Sequence, residues 1–162
     1  MKLPVIQEWF KDGLQCECTG CGNCCTGGPG YFWMSEQEIS RLAEYLKLSV
    51  SQTLKKYCRR LNGRISLKEK PPNARGEYDC IFLKEIPAEP GDGTTVQQSK
   101  RICTVYPVRP LQCRTWPFWE GNLASRQSWE SAARRCPGMN AGRKWSAHEI
   151  VSRRDASKWP ED

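Results

Sequence analysis

The sequence is poor in what most functional classes require. Its 162 residues contain one histidine, His148, near the C-terminal end. A Ser/His/Asp or Cys/His relay, or a histidine-rich zinc site, therefore has little to be built from. His148 falls on an expected C-terminal helix, where a packing or solvent-facing role is favoured over ligation. No apolar run approaches the ~20 residues that a membrane-spanning helix needs, so no membrane partner is expected. In Met1 to Asp12 the residues Lys2, Gln7, Glu8, Lys11 and Asp12 interrupt what a secretory leader would keep apolar. The expected location is the reducing cytoplasm. Apolar residues make up 38% of the chain, below the usual ~45–50%, and the mean hydropathy is -0.69. Such a chain gains from a device other than hydrophobic burial. Gly27-Gly28-Pro29-Gly30 matches neither a phosphate loop nor a dinucleotide fingerprint, and no internal repeat is visible.

What the chain does have is cysteine, 10 in all. In a reducing compartment, dense cysteine points to metal binding or catalysis rather than to disulfides. The formal charge of +7 invites a nucleic-acid reading. The lysines and arginines are scattered, however, and every metal-bound thiolate adds a negative charge that the count omits. Nucleic acid is therefore not the expected partner. The late tryptophans Trp116, Trp119, Trp129, Trp145 and Trp159 suit a core, or a patch facing a protein partner.

The chemistry concentrates in Cys18-x2-Cys21-x2-Cys24-Cys25. A C-x2-C pair lets two thiolates bend around one metal, as in zinc knuckles and ferredoxins. The third cysteine extends this toward the bacterial ferredoxin opening, but that run has three residues before its fourth ligand. Here Cys25 follows Cys24 at once, and adjacent residues strain a single tetrahedral ion. The vicinal pair suggests a polynuclear centre, two nearby sites or a bridging thiolate.

Local signals place these residues on short elements. Ser35 with Glu38, Ser49 with Gln52 and Ser146 with Glu149 have capping-box spacing. Ile39, Leu42, Ala43 and Leu46 then share one helical face. Leu54, Tyr57, Cys58 and Leu61 suggest a second helix with Cys58 as a small core residue. Ile65 and Leu67 alternate with polar residues, residues 78–83 and 96–105 read as strands, and residues 90–93 read as the turn between them. That would set Cys80 and Cys103 on neighbouring strands. Pro107, Pro110 and Pro117 mark residues 106–119 as extended or turning rather than helical. Residues 4–13 suggest a helical turn, residues 128–135 a short helix, and the end from Trp159 a loose tail.

Taken together, Cys18-Thr19-Gly20-Cys21-Gly22-Asn23-Cys24-Cys25, Cys80-Ile81-Phe82-Leu83, the run from Cys103 through Cys113 to Phe118, and Cys136-Pro137-Gly138 resemble the YkgJ-type cysteine-cluster family, a domain labelled as zinc- or iron-chelating. The resemblance implies one domain over residues 1–162, with a motif region at 16–138 and a C-terminal helix and tail at 139–162. It implies an α+β fold, short helices and a small antiparallel sheet gathered around a metal centre. The implied metal ligands are Cys18, Cys21, Cys24, Cys25, Cys80, Cys103, Cys113 and Cys136. Cys16 and Cys58 fall outside the pattern, and Cys16 reads as a spare thiol or a redox partner.

Arg109 and Arg114 flank Cys113. Their N–H groups could donate to thiolates or sulfides and offset their charge, hold an anionic substrate group, or bind backbone carbonyls. Tyr106 offers a hydroxyl near the metal or a core ring. Sulfur-only ligation suits both zinc and iron. The ferredoxin-like opening and the vicinal cysteines tilt the cofactor toward iron or an iron–sulfur cluster, with Zn2+ as the alternative. Three roles follow: a redox or carrier protein, a metal-dependent enzyme modifying a protein or small molecule, and a zinc-stapled interaction module.

Overall fold

A computed structural model describes residues 8–88 and 99–158. Along the chain run β1 (Leu14–Cys16), β2 (Trp33–Met34), α1 (Glu36–Leu46), α2 (Val50–Tyr57), β3 (Cys58–Leu61), β4 (Arg64–Leu67), β5 (Leu83–Ile86), β6 (Lys100–Cys103), α3 (Leu111–Thr115), α4 (Glu120–Leu123), α5 (Arg126–Ala133), β7 (Met139–Trp145) and α6 (Ala147–Ala156). Short 3-10 turns cover Asn23–Cys25 and Tyr106–Val108. The fold is α+β with small antiparallel sheets, as expected. Among the described residues no helix is long and apolar enough to cross a membrane.

The chain divides into two compact units. A middle unit takes Gly20–Cys113, and a terminal unit takes Met1–Thr19 with Arg114–Asp162. In the middle unit, α1 opens on the expected capping box: the Ser35 hydroxyl accepts from the Glu38 N–H, and the Glu38 carboxylate accepts from the Ser35 N–H. Its apolar stripe, Ile39, Leu42 and Ala43, is buried. α2 opens on the second box, Ser49 with Gln52. It stops at Tyr57, one residue short of Cys58. Cys58 instead begins β3, which pairs with β4 through Asn62 and Gly63, both at positive φ, 46° and 76°. That is the two-residue turn whose twist suits a hairpin. Cys58 is buried in the aliphatic core with Met34, Leu67 and Phe82.

Two other expectations need correction. The strand at residues 78–83 is displaced: β5 begins only at Leu83, and Cys80 makes an isolated bridge to Glu69. β6 starts at Lys100, while the turn at residues 90–93 and residues 96–98 of the expected second strand lie outside the described residues. Residues 106–119 are not uniformly extended. Tyr106–Val108 is a 3-10 turn, and α3 carries Cys113. The prolines permit this because Pro110 precedes the helix and Pro117 follows it, so neither interrupts an internal hydrogen bond.

The terminal unit pairs β1 with β7 and packs an aromatic core. Trp129 of α5 stacks on Phe118 with centroids 5.9 Å apart, and its indole N–H donates to Asn140 at 2.7 Å. α5 begins at Arg126, two residues before the expected start, capped by Ser125. α6 has the expected Ser146–Glu149 box and carries His148. Residues 4–7 of the expected first turn and the tail from Trp159 lie outside the described residues.

Candidate metal centre

The middle unit holds Cys21, Cys24, Cys25, Cys58, Cys80, Cys103 and Cys113. Cys24 and Cys25 ride the 3-10 turn Asn23–Cys25. Gly22 enters that turn at φ +73°, and a Cβ there would stand 3.0 Å from Leu83 Cδ1 and 3.1 Å from Arg101 Cβ. Handedness and space both call for glycine. The Asn23 N–H donates to Cys21 Sγ at 3.4 Å, and its side-chain oxygen accepts from the Arg101 guanidinium. The turn is thereby pinned to β6.

Cys80 is tied directly to this turn, because its N–H donates to the Cys25 carbonyl at 2.7 Å. The Cys80 carbonyl accepts from the Leu83 N–H at 2.9 Å. Leu83 in turn opposes Cys103 across the β5–β6 pair. The expected neighbourhood of Cys80 and Cys103 thus exists, although through a turn rather than two strands. Cys113 is set by its helix. The Leu111 N–H donates to Glu38 Oε1 at 2.5 Å. The Gln112 side chain accepts from the Trp33 N–H at 3.1 Å and donates to the Tyr31 carbonyl at 3.1 Å. Two residues of α3 are therefore clamped to α1 and β2 just before Cys113.

The result is a chain of five thiols in electrostatic reach: Cys25 feels Cys24, Cys80 and Cys113, while Cys80 and Cys113 each feel Cys24 and Cys103. Cys24 and Cys25 have sulfurs 4.0 Å apart. The Cys25 thiol stabilises a Cys24 thiolate, bringing Cys24 down to about 7 and pushing Cys25 up. Burial pushes Cys80 up to about 11, with Cys103 and Cys24 adding to the rise. Burial also raises Cys113, and Cys80, Cys24 and Cys103 add to it. Arg109 favours the thiolates of Cys24 and Cys113. Its guanidinium also lies 3.6 Å from the Tyr106 ring centroid and donates from Nε to the Tyr106 carbonyl at 3.0 Å. Tyr106 and Arg109 therefore form a pair beside the thiols, with the tyrosine ring spent on holding the arginine.

Among the described residues no three His, Cys, Asp or Glu side chains stand as a ready coordination shell. A metal would displace the thiol protons as it binds. The donor set itself fits a zinc or iron centre, being all sulfur, with a cation beside it to offset thiolate charge.

Cys18 and Cys136 belong to the terminal unit, as does Cys16. Arg114 also falls there, where its carbonyl accepts from Arg153 at 3.2 Å. Several positioning residues escaped the sequence reading. Arg101 and Lys70, the latter donating to the Leu83 carbonyl beside Cys80, carry no local signal. Glu38 was visible as a cap, but its second bond to Leu111 depends on a residue 73 positions away.

Residues 17–137 match the family model named CxxCxxCC, described as "Putative zinc- or iron-chelating domain". A similar protein is the uncharacterized protein MJ0661 of Methanocaldococcus jannaschii, 31% identical over 120 residues, an alignment that covers 73% of this chain and 53% of that protein. The chain thus matches about half the length of that relative. No solved structure matches. The family model runs from before Cys18 to beyond Cys136 and covers most of the sequence, so the chain belongs to the CxxCxxCC family.

Proposed function

We propose that this chain is a cysteine-ligated metal protein of a reducing compartment, whose centre is held by Cys24, Cys25, Cys80, Cys103 and Cys113 with Cys21 at its edge. The proposed cofactor is iron, in an iron–sulfur cluster. The observation that carries this reading is the five-thiol group, which draws donors from two loops, a strand and a helix, with no histidine or carboxylate acting on it among the described residues. When bound, a cluster supplies one-electron redox chemistry. The chain's own residues hold and tune it. Cys24 offers a thiolate near neutral pH. Arg109 offsets the charge of the loaded thiolates, and Tyr106 fixes Arg109. The vicinal sulfurs of Cys24 and Cys25 suit two neighbouring irons better than one tetrahedral zinc.

A zinc reading rests on the same all-sulfur donor set, which also suits a closed four-thiolate site. The two are separated by metal and acid-labile sulfide analysis of protein purified without oxygen, with its visible spectrum. Iron with matching sulfide and a brown colour is expected. Zinc without sulfide would make the protein a stapled scaffold, and neither metal would overturn the proposal.

A further inference from the structure

Away from the thiol group, the middle unit carries an open groove of about 630 Å³ between α2 and the β3–β4 hairpin. The helix lends it Val50 and Leu54, and the hairpin lends Ile65. Leu54 and Ile65 are only partly buried, although both pack against the aliphatic core. Val50, the first residue of α2, is 44% exposed. Apolar surface of this kind is left in water, and covering it with another apolar side chain is favourable.

Every charged residue that lines the groove is a cation: Lys55, Arg59 and Arg60. Arg59 is answered within the fold, pairing with Glu69 at 3.4 Å and donating to the Gly30 carbonyl at 2.5 Å. Lys55 and Arg60 are exposed, and among the described residues neither makes an ion pair. Arg60 opposes Ile65 across the β3–β4 pair, which sets a cation and an apolar residue side by side on one face. The C-terminal end of α2 offers little compensating negative charge, because the Lys55 and Lys56 carbonyls accept from Lys68 Nζ at 2.6 and 3.3 Å. β3 is also the outer strand in the order β2-β4-β3, so one of its edges has no strand partner among the described residues. An extended segment can add to such an edge through main-chain hydrogen bonds.

We infer that this groove docks an acidic, extended segment of another protein, which lays an apolar side chain over Leu54 and Ile65 and sets flanking carboxylates against Lys55 and Arg60. The apolar floor supplies the affinity, and the cations select the partner and fix its register. A nucleic-acid backbone would meet the same cations, but no aromatic ring lines the groove to stack a base. The groove is independent of the metal centre proposed above, because none of those cysteines lines it.

The test pans a display library of random short peptides on the full chain, purified without oxygen, and measures the recovered peptides by fluorescence polarisation. The expected result is enrichment of peptides with an apolar residue flanked by Asp or Glu. Their affinity should fall at least about tenfold in Val50→Glu and in the double variant Lys55→Glu with Arg60→Glu, since each sets like charge against the peptide. Val50, Lys55 and Arg60 are all exposed, and Glu suits the first turn of a helix, so both variants should fold; thermal melts check this. Basic or uncharged winners, no enrichment, or undiminished binding to either variant would each overturn the inference. Displacement of the peptide by oligothymidylate at equal affinity would overturn it too, assigning the cations to nucleic acid.

Discussion

Phe10, Phe118 and Trp129 are almost wholly enclosed in the terminal unit. The enclosed residues of the middle unit are mainly aliphatic, such as Ile39, Leu42, Leu67 and Val105, with the sulfurs of Cys58 and Cys80 filling between them. Large rings bury much area per residue, so a small unit built on them can hold itself together. In the middle unit the apolar core meets the thiols of the proposed centre, where a bound ion would add stability as it replaces their protons. The contrast teaches that one short, polar chain can stabilise two cores by different means. It also says where dependence on metal should be felt.

The largest effect expected is therefore metal removal. Chelation under reducing conditions should expose cleavage sites within Gly20–Cys113 first, while the Trp129 core persists. Limited proteolysis followed by mass spectrometry reads this directly, and equal or earlier cleavage near Trp129 would erase the contrast. The next largest effect targets the other side. Trp129 is 1% exposed, stacks on Phe118 and bonds Asn140. Trp129→Ala should cost about 3–5 kcal/mol, as large aromatic truncations do, measured by urea unfolding. A loss near 1 kcal/mol would mean that the aromatic core is not what supports this unit.

A smaller effect should link local structure to the thiols. Glu38 accepts from the Ser35 N–H with one carboxylate oxygen and from the Leu111 N–H with the other. Glu38→Ala leaves both donors without that partner and should cost about 1–3 kcal/mol. Because Leu111 begins the helix of Cys113, it should also weaken metal retention. Glu38→Gln has one oxygen for two N–H groups and should fall between. Equal metal retention in the alanine variant and wild type would show that the Glu38–Leu111 bond does not seat Cys113.

These residues also show what was legible in the sequence. Capping boxes are local, so Ser35–Glu38, Ser49–Gln52 and Ser146–Glu149 could be read three residues at a time. The Asn62-Gly63 hairpin is equally local, but Leu54, Tyr57, Cys58 and Leu61 imitate a helical stripe through its first strand. Here β pairing with Arg64–Leu67 overrides the periodicity. The α3 helix is hard to see because three prolines crowd residues 106–119, although Pro110 and Pro117 flank the helix rather than enter it. The cysteine spacing announced metal chemistry, but it gave no hint that Cys18 sits in one unit and Cys21 in the other. That partition follows from β1 pairing with a strand more than a hundred residues away, which no local pattern encodes.

The smallest effect belongs to the surface of the terminal unit. Glu149 closes the α6 capping box, accepting from the Ser146 N–H at 2.8 Å and hydroxyl at 2.9 Å, and it pairs with Arg143 at 2.7 Å. Its carboxyl is held below the ordinary value, first by the Ser146 backbone N–H, then by the Ser146 hydroxyl, with Arg143 adding to the effect. A carboxyl lowered in the folded state contributes stability that is present above its unfolded pKa and lost as pH falls through its folded pKa. Glu149→Gln retains an acceptor oxygen but no charge. The Tm difference between wild type and this variant should be greatest at neutral pH and close as acid protonates Glu149. Added salt at neutral pH should remove only the Arg143 share, because the bonds to Ser146 are short-ranged and less screened. A difference unchanged in acid would show that the box works by shape alone, leaving the α6 terminus as indifferent to charge as the aromatic core it covers.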